Sequence, residues 1–355
     1  MSTPEELRAQ ILNAPESESA EPDSTPQLTT INLIELLNMD LPEREFLLDP
    51  IIAAQGLLMV YAERGLGKTY FSLSIALAVA AGGKVLGYEA PEPRNVLYVD
   101  GEMPFKDMQS RIRLLANGMG ADHDDLEERF SLISPELQKD IWPSISSKEG
   151  RDQIEQHLTD GCLLVLDNLS TLSLNIAENE ADAQDPIIEW LVNLRKRHVS
   201  VLQVHHAGKG GKQRGTSRRE DILDVSIQLN RPTDYDPEEG ARFEVHYSKA
   251  RGIYGKKAAP FEATLIPTAD GEGLKWVTRP LIDKRIEQVM KLHKETNPDT
   301  GRPWSIRNIA QMLDMTKSTV ANLIKRGEKK EEEEKKNIGF VKDRPSRKAE
   351  GETVK

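Results

Sequence analysis

The sequence predicts a doubly wound α/β domain with a mostly parallel sheet, followed by a small all-α domain. Three observations carry this. A glycine-rich stretch, Ala62-Glu63-Arg64-Gly65-Leu66-Gly67-Lys68-Thr69-Tyr70, lies between an apolar run (Gly56–Tyr61) and a small-residue apolar stretch (Phe71–Ala81). Downstream, short apolar runs alternate with segments of helical period, as parallel strands joined by crossover helices do. After Pro280 the strand patterns stop and helical periodicity continues to residue 327.

A chain of 355 residues has room for two or three domains. Hydrophobic content of 38% sustains a core, and a charged content of 30% gives a well-solvated surface. The net charge of −11 excludes a global basic field, so any nucleic-acid contact must be local. Cys162 is the only cysteine, which excludes disulfide frameworks and cysteine-rich metal sites and suits a reducing cytoplasm. The first residues do not read as a secretory signal, and no apolar run approaches the ~18 residues of a membrane span.

Residues 1–28, rich in Ser, Pro and Glu, read as a disordered acidic arm with a short helix at Glu5–Leu12. Ile31–Leu37 is a short amphipathic segment, read as a linker with a lid role, and Phe46–Ile52 leads into the core. The α/β domain is expected over 29–279. Its strands are Gly56–Tyr61, Asn95–Asp100, Phe130–Ile133, Cys162–Asp167 and Val199–His205. Its helices are Phe71–Ala81, Phe105–Met119, Gly150–Leu158 and Asp185–Arg197. Cys162–Asp167 is apolar on both faces, as a central parallel strand should be. After Asp224, the runs Val225–Leu229, Ala241–Lys249, Ala263–Pro267 and Leu274–Val277 are expected to extend the sheet with antiparallel strands.

Strand, glycine-rich turn, Gly-Lys-Thr and helix in that order form a P-loop. The glycines let successive N–H groups face phosphate oxygens, and the helix N-terminus adds its positive dipole end. Lys68 is expected to reach the β/γ-phosphates and the Thr69 hydroxyl to ligate Mg²⁺. Ala62 stands where the strict pattern has Gly, and Ala serves there if its φ is negative. Asp167 ends an apolar strand about a hundred residues later, the position of a Walker B carboxylate meeting the Mg²⁺ shell through water. Asn168, Ser170 and Thr171 follow it at the same sheet edge. Glu102, just past the second strand, is the candidate for orienting or deprotonating the attacking water, with Asp100 its competitor.

Gln203, His205 and His206 end the next strand, where polar side chains can sense the γ-phosphate. The alternatives for the two histidines are a structural role and, with no cysteine or carboxylate spaced around them, a poorly supported metal site. The loop Ala207–Thr216 is basic through Lys209, Lys212 and Arg214, and Arg218 and Arg219 extend it into the best local patch for DNA. Its plain alternative is a solvated loop. Lys249-Ala250-Arg251 ends a late strand, either as a charged sheet edge or as a finger contacting a neighbouring subunit's nucleotide.

This order resembles the RecA-fold ATPases of the plasmid RepA type, relatives of DnaB-like hexameric helicases and KaiC, over about residues 45–278. The resemblance implies ATP and Mg²⁺ as ligands, a ring or hexamer, single-stranded DNA as partner and a role in DNA replication. It implies catalysis by Glu102 and a trans-acting arginine at Arg214 or Arg251, with Lys249 beside the latter. Arg218-Arg219-Glu220-Asp221 departs from the family, where many relatives carry small apolar residues. The competing functions are a helicase or translocase and a non-motor DNA-binding ATPase. A nucleotide kinase is disfavoured by the missing lid arginines, and GTP by the missing Asn-Lys-x-Asp.

Residues 280–330 are expected to form a helix-turn-helix domain, with Lys329–Lys336 as the solvated end of its last helix and a charged flexible tail over 331–355. Ile306, Ile309 and Leu313 supply one apolar face, Ala310 the helix crossing, and Thr316-Lys317-Ser318 the turn and cap. Val320 and Leu323 face inward, while Lys317, Thr319, Asn322 and Lys325 face duplex DNA. Asp314 occupies the turn position that usually takes Gly. The alternative is a three-helix bundle for protein contact.

Overall fold

The computed structural model describes residues 28–41, 43–121, 123–139, 142–173, 181–208, 218–281, 284–298 and 301–342. The expected helix at Glu5–Leu12, the basic residues Lys209, Lys212 and Arg214, and the tail beyond 342 lie outside them. The chain forms two units, Met1–Thr278 and Arg279–Lys355.

In the first unit a nine-stranded sheet is built, from one edge to the other, of β13 (Leu274–Pro280), β12 (Phe261–Pro267), β11 (Arg242–Ala250), β10 (Val225–Asn230), β3 (Leu57–Ala62), β9 (Ser200–His206), β8 (Leu163–Asp167), β6 (Val96–Asp100) and β7 (Phe130–Ile133). Two short hairpins, β1 (Phe46–Leu48) with β2 (Ile52–Ala53) and β4 (Gly83–Val85) with β5 (Tyr88–Ala90), lie outside it. The six strands from β10 to β7 run parallel. Antiparallel pairing begins at β11, which lies against β10 and β12.

One expectation is corrected here. Val225–Leu229 was expected to be antiparallel, yet β10 pairs in parallel with the P-loop strand, Val225 opposite Leu58 and Leu229 opposite Ala62. The connection from β9 is long enough to cross over, and parallel pairing needs such a crossover where antiparallel pairing needs only a tight turn.

Both sheet faces are buried, which is why these strands read as continuous apolar runs. Leu58, Val60 and Ala62 face the core shared with the P-loop helix, Lys68–Ala81, while Leu57 and Met59 face the opposite core. The P-loop helix is buried from Phe71 through Ala80, so it lacks an amphipathic stripe and reads as apolar all round. Burying each of Phe71, Leu73, Ile75 and Leu77 contributes about 1.5–3 kcal/mol. The opposite core is closed by helix Ala181–Lys196 through Ile187, Trp190, Leu191 and Leu194.

Helix Phe105–Met119 is fixed to the start of the edge strand β13 at a backbone approach that only glycine permits. A Cβ on Gly118 would lie 1.9 Å from the Leu274 carbonyl oxygen. Near the N-terminus, helix Leu33–Asn38 is closed by a capping box between Asn32 and Glu35 and buries none of its residues. The lid expected of this segment therefore finds no packing among the described residues.

The second unit contains helices Lys284–Lys294, Ile306–Met312 and Lys317–Lys342 around Val289, Met290, Ile309, Val320 and Leu323. Ser305 caps the middle helix through a bond from Asn308 N, and Thr316 caps the last through one from Thr319 N. Asp314 takes the left-handed conformation with φ of 49° that the tight turn needs. Two details differ from expectation. Ile306, in the first turn, is 40% exposed, leaving Ile309 and the half-buried Leu313 as the inward residues of that face. The last helix continues to Lys342, past the domain boundary expected at 330 and the helix end expected at Lys336; the Lys and Glu run is made of strong helix formers, and the helix passes through Gly339.

Candidate nucleotide site

The P-loop curls where β3 ends. Gly65 has φ of 75° and Gly67 of 101°, a region that disfavours a side chain, and Gly67 caps the helix that begins at Lys68. A Cβ on Gly67 would also press on Ala241 Cβ at 3.1 Å. Ala62 remains in regular strand conformation with negative φ, so its Cβ costs nothing. Lys68 is 6% exposed and donates from Nζ to the carbonyls of Ala62 at 3.2 Å and Glu63 at 2.9 Å. Burial pushes its ammonium below the usual lysine range, while Asp167 and Glu102 oppose the shift.

The carboxylates arrive from neighbouring strands. Asp100 ends β6 opposite Asp167 at the end of β8. Asp167 is 4% exposed and accepts from Tyr98 Oη at 2.6 Å and Ser72 Oγ at 3.3 Å. Burial raises its pKa, and the hydrogen bonds from Tyr98, Thr69 and Ser72 pull it back. Asp100 is pushed up to about 7 by burial and then by the Asp167 charge. It accepts from Met103 N at 3.0 Å, which fixes the turn that presents Glu102. The Glu102 side chain is 61% exposed, accepts from Asn168 Nδ2 and lies 3.9 Å from His206 Nε2.

These groups surround a cleft of about 520 Å³ at the C-terminal edge of the parallel strands. Of the expected residues, Arg64, Gly65, Gly67, Lys68, Thr69, Tyr70, Glu102, Asp167 and His206 line it. Others do not. Glu63 is exposed outside the cleft, Leu66 is 3% exposed and packs into the core, and His205 is buried within the sheet on β9. Strand alternation explains the last: adjacent residues point to opposite faces, so His205 and His206 cannot share one site.

Sequence reasoning missed the wall formed by Asp107, Arg111, Tyr235, Gly240 and Ala241. Arg111 stacks its guanidinium 4.6 Å from the centre of the Tyr70 ring. Its signal was the i, i+4 spacing of Asp107 and Arg111 on a helix leaving the phosphate edge. Tyr235 follows a Pro-Thr-Asp turn and returns to the P-loop only through tertiary folding. Its loop is anchored by Arg242, which donates to Glu239, Asp234 and Glu262.

Of the candidate finger residues, Lys249 and Arg251 do not line the cleft. Lys249 donates from Nζ to the carbonyls of Glu220 and Asp221, and Arg251 from Nη2 to that of Asp221 at 3.1 Å. Both thus engage the end of the short helix Arg218–Asp221 of their own chain. Arg219 is 4% exposed, so the surface DNA contact expected of it is corrected: its side chain packs inward. The side chain of Arg218 falls outside the described residues. In the second unit Lys317, Asn322 and Lys325 are exposed, while Thr319 is half-buried with its hydroxyl 2.8 Å from that of Thr316.

Among the described residues no helix is long and apolar enough to cross a membrane, and no cluster of His, Cys, Asp and Glu suits a metal of its own. Two solved structures are similar. A KaiC-like protein from the hyperthermophilic archaeon Pyrococcus horikoshii is 14% identical, covering 65% of this chain and 93% of its own, with a TM-score of 0.43. The RadB recombinase is 15% identical, covering 62% and 90%, with a TM-score of 0.44. Residues 22–212, more than half of the chain, match the model of the AAA domain. The P-loop and all the strand-end carboxylates described above fall within that match, and the chain belongs to the AAA domain family of ATPases.

Proposed function

We propose that this protein is an ATP-hydrolysing, RecA-type motor that assembles as a ring, a hexamer in the closest reading, and acts on DNA as a helicase or translocase in replication. The observation that carries the ATPase core is one cleft in which a P-loop with two left-handed glycines meets a buried carboxylate, Asp167, and an exposed one, Glu102. Backbone N–H groups around Gly65 and Gly67 bind the phosphates of ATP, with Lys68 released from the Ala62 and Glu63 carbonyls to join them. The oxygen donors Thr69 and Asp167 suit Mg²⁺, a hard cation, which when bound neutralises charge on the phosphate oxygens. Glu102 holds the attacking water and takes its proton. Asn168 occupies Glu102 Oε2, which leaves Oε1 for that task.

Assembly and DNA contact rest on Arg251 or Arg214 as a trans-acting arginine, with Lys249 beside the first, and on Lys209, Lys212 and Arg218 at the core loop. The C-terminal helices, with Lys317, Asn322 and Lys325 outward, suit a helix-turn-helix contacting duplex DNA. The inward packing of Arg219 favours a second reading, a non-motor DNA-binding ATPase that uses ATP to switch assembly. The test is ATP turnover with and without single-stranded DNA, beside light scattering, in wild type and Lys68→Ala. The motor reading expects DNA-stimulated turnover by a ring and none in the variant. Turnover indifferent to DNA removes the motor, and near-wild-type turnover in Lys68→Ala removes the P-loop reading.

A further inference from the structure

Behind the cleft lies a buried triangle of three oxygens that no catalytic step described so far uses. Tyr98, in the middle of β6, is fully buried and places its hydroxyl 2.6 Å from Asp167 Oδ2. Ser72, one turn into the P-loop helix and also fully buried, places its Oγ 2.8 Å from Tyr98 Oη and 3.3 Å from the same carboxylate oxygen. Counting protons orients the network. An ionised Asp167 only accepts, so the single Tyr98 proton goes to Asp167, and the Ser72 hydroxyl has three acceptors within reach, the phenol oxygen, Oδ2 and, at 3.2 Å, the Thr69 carbonyl of its own helix. The carboxylate is thereby gripped from behind on one oxygen, and its other oxygen is left for the cleft.

We propose that Tyr98, with Ser72, is a positioning residue for Asp167. The pair orients the carboxylate toward the Mg²⁺ side of the cleft, and it ties that orientation to the P-loop helix carrying Lys68 and Thr69. This rests on the nucleotide reading above. Carboxylates that meet a metal shell are generally held by such outer hydrogen bonds, and losing one costs ~10–100-fold in metal affinity. Three elements meet in the triangle: the P-loop helix, β6 and β8. A shift of the helix therefore reaches Asp167 both directly from Ser72 and by way of Tyr98.

The test is Tyr98→Phe, which keeps the ring and its packing near Phe130 and removes only the hydroxyl. Ser72→Ala is the second variant, for the case that Tyr98→Phe fails to fold. The readouts are Mg²⁺ titration of nucleotide binding, Mn²⁺ binding followed by electron paramagnetic resonance, and ADP binding in EDTA. The proposal expects the half-saturating Mg²⁺ concentration and the Mn²⁺ dissociation constant to rise roughly tenfold or more in Tyr98→Phe and less in Ser72→Ala. It expects metal-free ADP binding to be unchanged. Unaltered metal dependence in a folded Tyr98→Phe, or in Ser72→Ala should the first not fold, overturns the proposal and leaves the nucleotide reading standing. A wild-type protein whose nucleotide binding ignores both Mg²⁺ and Lys68→Ala overturns both.

Discussion

Arg242 offers the sharpest stability experiment in the molecule. Its side chain is 7% exposed, and it holds Glu262, itself 10% exposed, through bonds of 3.2 and 3.1 Å. It also holds Glu239 at 3.0 and 2.8 Å and Asp234 at 3.2 and 3.1 Å. Arg242→Ala removes a bidentate counter-charge from Glu262 in a site nearly closed to water, and breaking such a buried pair costs about 3–5 kcal/mol. The two loop acids are solvated and add little to that figure. A domain of this size loses roughly 2–4 °C of Tm per kcal/mol, so the melting point should fall on the order of 10 °C. The same arginine anchors the loop carrying Tyr235, Gly240 and Ala241 to the cleft, so KM for ATP should rise more than kcat falls. Calorimetry and urea unfolding of the first unit measure the first effect, and steady-state kinetics the second. The double variant Arg242→Met, Glu262→Leu should recover most of the stability, because the burdened carboxylate leaves with its partner. A loss under about 1 kcal/mol in Arg242→Ala, or no recovery in the double variant, would refute the reasoning.

Glu102→Gln should retain ATP binding and slow single-turnover hydrolysis by ~10² or more, and Asp100→Asn showing that pattern instead would move the catalytic role. Asp100, held at about 7 against an ordinary 3.8, lets the folded state keep a proton that the unfolded state has lost. Its contribution is greatest below about pH 4, declines as pH rises toward 7 and is gone above it, so Asp100→Asn should flatten that part of a urea-unfolding pH profile. Parallel profiles for the two proteins would contradict this. Arg251→Ala should bind ATP and hydrolyse it poorly, with activity partly restored by mixing with Lys68→Ala subunits; full-rate hydrolysis by a monomer in light scattering excludes a trans arginine. Removing residues 281–355 should spare ATPase activity and weaken duplex binding at matched salt, and equal duplex affinity would free the C-terminal helices of a DNA role.

What the sequence made legible was whatever is written locally. The glycines of the P-loop, the apolar strands and the carboxylates at their ends each follow from a few adjacent residues, so their positions emerged within three residues. β10 was misread in direction because pairing sense depends on a crossover and not on the strand's own residues. His205 and His206 read as a pair in sequence but are divided by the pleat. Arg219 read as surface because charge suggests exposure, while the fold brings it inside. Tyr235 and Arg242 were invisible as cleft-forming residues because their partners lie far off in the chain. Tyr98 was visible only as one more apolar-run residue, since a buried hydroxyl shows its purpose through the group it meets.

The place of the P-loop strand in the sheet also bears on how the chain comes to be folded. β3 lies between β9 and β10, so its first hydrogen-bonding neighbour in sequence order is Ser200–His206. Emerging from a ribosome, Leu57–Ala62 has no strand to pair with until that distant segment follows. At ~5–20 residues per second this is a wait on the order of ten seconds. Throughout it an apolar strand and the helix after it, which the finished fold buries from Phe71 to Ala80, stand without their sheet, in a topology dominated by non-local pairing that is slow to close. The nucleotide site is thus among the last parts of the domain to form, and the nascent chain should engage chaperones through the very segment that later binds phosphate.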